Sequence, residues 1–159
     1  MENILNANTV DILIRLSVAL LLGFIIGTER VWAHKTAGMR TYALVSMGAS
    51  LFVIISEMVA LQYSGIYNFD PTRMASQIIV GIGFIGTGLI FSKDSKLMGL
   101  TTATGLWVSA GIGMATGFKL YDLAVIATFL TLFIFIVLWF VEEKFRKSKF
   151  FKKESSDEF

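Results

Sequence analysis

The chain has 159 residues, a formal net charge of +2, and 55% hydrophobic against only 16% charged side chains, with a mean hydropathy of +0.69. A soluble domain carries about 25% charged residues, so a water-soluble enzyme is excluded, and the length leaves room for one domain only. With no cysteine and one histidine, His34, disulfides, thiolate metal sites, cysteine nucleophiles and imidazole-built zinc or iron centres are excluded too.

The apolar residues are gathered into long runs. No basic segment precedes the first of them and no A-x-A site follows it, so this run is expected to stay as a span rather than be cleaved as a signal peptide. Crossing a hydrocarbon core of about 30 Å takes roughly 20 mostly apolar helical residues. The candidates are 10–27, interrupted by Arg15, and 42–61, interrupted by Glu57. Then come 71–91, whose strictly apolar part 78–91 is shorter than a span, and 100–118, rich in Gly, Ala, Ser and Thr. The last is 123–141, with Trp139 and Phe140 as interfacial anchors near its end. The expected fold is an all-α membrane protein: a bundle of five transmembrane helices over 1–141 and a basic cytoplasmic tail over 142–159.

Orientation follows from Lys and Arg in the connections. Arg30, Lys35 and Arg40, then Lys93 and Lys96, then the six basic residues of the tail share one side; Arg73, Lys119 and Arg15 take the other. Eleven against three predicts the N-terminus outside and the C-terminus in the cytoplasm, across a bacterial-type inner membrane. The tail interleaves Lys and Arg with Phe145, Phe150 and Phe151, which reads plainly as a stop-transfer anchor and also suits an interfacial helix on anionic lipid at about 1 kcal/mol per basic residue. The lipid bilayer is therefore the expected partner, and nucleic acid is not.

Gly81, Gly83, Gly86 and Gly88 spell G-x-G-x-x-G-x-G. A dinucleotide fingerprint needs a preceding strand and a βαβ unit, whereas these glycines lie in an apolar span and read as helix-packing positions. The fourth span carries small residues at every fourth place: Thr101, Gly105, Ser109, Gly113 and Gly117. The first carries Ala19, Gly23 and Gly27, and the same stripe runs back through Arg15 to Asp11. Close helix packing is the plain reading, and a polar cleft along these faces is the other. Such long glycine faces predict a homo-oligomer.

A charge at mid-bilayer costs about 2.5–3.5 kcal/mol on insertion scales, so each needs a partner or a wet cavity. Arg15 has Asp11 four residues earlier as a ready partner. Glu57 lies in the last third of the second span. Asp70-Pro71 is a helix start, with Asp70 as N-cap and Pro71 at the first helical position. Arg73 and Gln77 project from the following turns beside Thr72 and Ser76. Asp11, Arg15, Glu57, Asp70, Arg73 and Gln77 are thus expected at one depth near the outer surface, either as a functional polar site or as a structural ion-pair network. On the cytoplasmic side Glu29, Arg30, Lys35 and Arg40 surround Ala37-Gly38, as topology and capping signals or as an inner gate. No cofactor is expected, with one exception: Asp70 and Glu57 are the carboxylates that would hold Mg²⁺, an ion usually bound by one or two carboxylates, although Arg73 and Arg15 beside them oppose a divalent cation. No catalytic residue is expected, because no nucleophile–base pair with histidine or cysteine exists.

Three ordered blocks resemble the membrane domain of the MgtC/SapB family, over about 20–121. The first is Ile26-Gly27-Thr28-Glu29-Arg30, continuing from Ala37-Gly38-Met39-Arg40 to Val45. The second is Asp70-Pro71-Thr72-Arg73 with Gln77 and the run Gly81 to Gly88. The third is Gly99-Leu100-Thr101-Thr102-Ala103 with Trp107, Gly113 and Gly117. Tyr42 stands where the family pattern usually has His, Val80 where it has Ser, and Thr101 where it often has Asn. The resemblance implies a bacterial inner-membrane protein tied to magnesium homeostasis and to virulence through intracellular survival. It would act either as a magnesium or other small-ion transporter or as a regulator of membrane partners such as the ATP synthase.

Overall fold

The structure, a computed structural model, describes residues 2–62, 70, 72–93 and 95–147. The tail beyond 147 and Pro71, to which the sequence assigns an interfacial role and a first helical position, lie outside the described residues.

Five helical rods make up most of the described residues: α1 (Glu2–Trp32), α2 (Met39–Gln62), α3 (Thr72–Thr87), α4 (Leu100–Gly117), and a last rod of α5 (Tyr121–Phe133), a π-helical turn (Ile134–Leu138) and α6 (Trp139–Lys147). Among the described residues three stretches are long and apolar enough to cross a membrane: Thr9–Trp32, Met39–Gln62 and Tyr121–Phe145. The sequence expects five spans; the structure has the five helical rods, three of them with such a stretch. With 16 and 18 residues, α3 and α4 rise about 24 and 27 Å, short of a core of about 30 Å.

The expected third span also stops early. After Thr87 the chain turns and forms a two-stranded antiparallel hairpin, β1 (Phe91–Lys93) with β2 (Lys96–Met98), so the fold is not purely helical. Gly99, at φ +87°, lets the chain swing from hairpin into α4. A Cβ there would strike the Leu89 carbonyl, so only glycine fits.

The inside and outside are inverted relative to a soluble protein. Leu13, Trp32, Leu44, Phe84 and Phe129 are exposed, while Ser46, Ser50, Ser56, Ser109 and Thr116 are buried. Apolar side chains outside and small hydroxyl residues between helices suit a hydrocarbon solvent. The centre is α4, which packs against α1, α2, α3 and α5. Its small-residue stripe faces α2: Gly105 meets Tyr42, Gly113 meets the Ser46 backbone and Gly117 meets Val53. The order of those contacts makes α2 and α4 parallel. From the other side Gly23 meets Tyr42 and Ser46, and Gly27 meets Met39, so α1 runs antiparallel to both.

Of the predicted packing glycines, Gly105 and Gly113 are pressed against α2 and Gly86 touches Ala103 of α4. Gly88 meets only carbonyls of its own last turn, and Gly81 and Gly83 have open space where a Cβ would be. The G-x-G-x-x-G-x-G run is therefore largely unpacked within the chain. The reason is that α3 buries only Ile82 and Gly86.

Candidate functional site

Two buried arginines mark the two ends of the α1–α2–α4 interface. Fifteen residues of α1 separate Arg15 from Arg30, a rise of about 22 Å.

Arg15 is 4% exposed. One of its terminal nitrogens forms an ion pair with Asp11 one turn earlier, and the other pairs with Glu57 of α2. The nitrogen that holds Glu57 also donates to the Gly117 carbonyl at 3.0 Å. Gly117 ends α4, where unpaired carbonyls give a helix about half a negative charge, so a cation is favoured there. Lys119 adds a second cation, 3.0 Å from Asp11. Lys119 has φ +64°, and the bonds from its N–H to Thr116 O (3.0 Å) and from Leu120 N–H to Ala115 O (2.8 Å) close α4 in a Schellman turn. Glycine is the usual residue there; lysine places its charge on Asp11. Two acids and two bases sum to zero, and three helices are joined at one point.

At the other end Arg30, 3% exposed, pairs with Glu29 and lies 3.5 Å from the centroid of the Phe135 ring. A desolvated cation over an aromatic face is worth about 2 kcal/mol. Phe135 sits in the π-helical turn, the residue of that turn that points inward. Beside it, fully buried Tyr42 donates from its hydroxyl to the Thr102 carbonyl at 3.3 Å and accepts at its own carbonyl from Ser109 Oγ at 3.0 Å. Arg40 is exposed and takes no part.

Between the two ends lie the Ser46 and Ser50 hydroxyls, buried and without hydrogen-bond partners, as is Arg15 Nε. They line the same α2 face that receives Gly113 and Gly117.

The structure thus brings Asp11, Arg15 and Glu57 together as the sequence suggests, but it leaves Asp70, Arg73 and Gln77 exposed on α3. Asp70 caps that helix, accepting from the Thr72 backbone N–H at 2.9 Å and hydroxyl at 2.7 Å. Those two bonds, with Arg73 nearby, hold its carboxyl below the ordinary value of 3.8. Among the described residues no ion pair links Asp70 or Arg73 to the Arg15 cluster. Glu57, proposed from sequence as a magnesium ligand with Asp70, faces a guanidinium instead. Among the described residues no group of three or more Asp, Glu or His side chains is placed to hold a metal ion. Sequence reasoning missed Lys119, the Gly117 carbonyl, Phe135 and the role of Tyr42; the departure from the family pattern at Tyr42 was the one signal available.

The profile of the MgtC family matches residues 16–144. Among curated proteins, the chain is 39% identical over 131 residues to the "Putative magnesium transporter YhiD" of Escherichia coli K12, which covers 79% of this chain and 60% of that protein. It is 45% identical over 113 residues to the protein MgtC of Brucella abortus (71% of this chain, 45% of that protein). To the MgtC of Salmonella typhimurium it is 43% identical over 126 residues (79% and 52%). The chain spans about half to three fifths of the length of these relatives. No solved structure matches it.

Proposed function

The chain belongs to the MgtC family, and from that premise we propose that it is a bacterial inner-membrane protein of magnesium homeostasis, acting as a non-enzymatic modulator through contacts with other membrane proteins. The name carried by YhiD supports the magnesium connection. All five rods cross the bilayer in this reading, with the N-terminus outside and the C-terminus cytoplasmic. Enclosure of α4 by four other helices supports that count, because a helix screened from lipid need not match the hydrocarbon thickness.

The carrying observation is the neutral cluster at Arg15. Its carboxylates are already committed to Arg15 and Lys119, so the cluster fastens α1, α2 and α4 instead of presenting negative charge to a divalent cation. The long exposed apolar faces, α3 above all, are left for partners.

A second reading, transport of Mg²⁺, a proton or another small ion, is favoured by the unpartnered Ser46 and Ser50 hydroxyls between the two arginine clusters. Purified protein in liposomes separates the two. The modulator reading expects magnesium, proton and potassium flux equal to that of protein-free vesicles. Flux that Glu57→Gln abolishes would establish transport instead.

A further inference from the structure

Gln77, excluded from the buried cluster, has a different neighbour, and Arg73 stands one turn before it on α3. Between α2 and α3, floored by Ala110 of α4, runs a groove of about 410 Å³. Its walls are apolar except for Gln77, and Gly48 on α2 and Gly81 on α3 both face it. A Cβ on either glycine would meet nothing within 4 Å, so no side chain among the described residues fills the space.

We propose that this groove holds an acyl chain of an anionic membrane phospholipid, with the lipid phosphate at Arg73. The chemistry changes in the right order along one side of α3. Arg73 is exposed in the first turn and makes no ion pair among the described residues. Gln77 follows one turn on, about 6 Å along the axis, at the level of the ester linkages. From there to Ile85 the lining is hydrocarbon for about 12 Å. A cation, then an amide, then an apolar slot is the complement of phosphate, glycerol ester and acyl chain.

The position of Arg73 argues for an anion as well. A helix start carries partial positive charge, so a cation in the first turn of α3 is repelled unless a negative group joins it. Asp70 supplies part of that negative charge as it caps the helix through the Thr72 N–H and hydroxyl, but no ion pair joins it to Arg73 among the described residues. A phosphate would give the guanidinium a full counter-charge through charge-assisted hydrogen bonds. A helix of a second copy fits less well. It would fill the slot but bring no anion to Arg73.

The test is native mass spectrometry of the whole protein, released from detergent micelles containing equimolar phosphatidylglycerol and phosphatidylcholine. Wild type should retain phosphatidylglycerol in preference. Arg73→Gln should lower that retention about tenfold, the loss expected for one charge-assisted bond, and lower that of phosphatidylcholine, whose phosphate is balanced by its own ammonium, by less. Gly81→Leu, which fills the slot, should lower both; Gly48→Leu fills it from the opposite wall if the first variant does not fold. Equal retention of the two lipids by wild type and by Arg73→Gln would overturn the proposal. So would a lipid-free dimer that Gly81→Leu converts to monomer, since the occupant would then be a second copy.

Discussion

A guanidinium among apolar helices has to be neutralised locally, and Arg15 is answered by two carboxylates and a helix-end carbonyl. This redundancy sets a measurable expectation. Asp11→Asn or Glu57→Gln alone leaves Arg15 one carboxylate and should lower stability by about 1–2 kcal/mol. Together they leave a buried charge unpaired, which costs about 3–5 kcal/mol, so the double variant should lose more than the sum of the singles. Thermal unfolding in detergent of the four proteins measures this; additive losses would mean that the two acids do not share one partner. The Asp11–Arg15 pair was legible from i, i+4 spacing, and Glu57 from its place near the outer end of α2. Lys119 and the Gly117 carbonyl were not, because they reach α1 only through the packing of α4. Asp70, Arg73 and Gln77 stay outside this cluster for a geometric reason. Depth can be counted along a helix, but direction depends on which face packs. Arg73 stands nine residues from Ile82, and Gln77 nine from Gly86. That is about two and a half turns, so burying Ile82 and Gly86 turns the other two away.

At the scale of elements, the same glycine spacing hides two opposite roles. Gly113 is pressed on the Ser46 backbone, whereas Gly83 faces open space. Gly113→Ala should therefore destabilise by about 1–3 kcal/mol through overpacking. Gly83→Ala should stabilise by about 0.5–1 kcal/mol through lost backbone freedom in the unfolded chain. Paired melting curves read both signs at once; two losses of equal size would show that Gly83 is packed after all. The stripe on α4 could be read from sequence because its small residues keep one register over four turns. The glycines of α3 could not, since nothing local says that this helix touches its neighbours on one narrow edge. The hairpin after Thr87 was hidden by its apolar flank, and the π-helical turn by an unbroken run of helix-compatible residues. Yet that turn aims Phe135 at Arg30.

Taken whole, the molecule is a set of helices with hydroxyls and glycines inside, hydrocarbon side chains outside, and an arginine clasp at each end of the α1–α2–α4 interface. The membrane character was legible from composition alone. The number of crossings was less so, because α4 gives up apolar residues to pack at the centre and α3 gives up length to the hairpin. Both clasps draw opposite charges from neighbouring positions, which is how a low-dielectric interior tolerates them. On the function proposed above, a protein built this way holds its shape without a bound cation.

The thermal midpoint of the purified chain, followed across a magnesium titration with sodium chloride added to keep ionic strength constant, addresses that claim. A site in the native state would add about 2.7 kcal/mol of stability at a hundredfold excess over its dissociation constant. The neutral clasp predicts a midpoint that does not move with magnesium in wild type or in Glu57→Gln. A rise with magnesium in wild type that Glu57→Gln removes would contradict it.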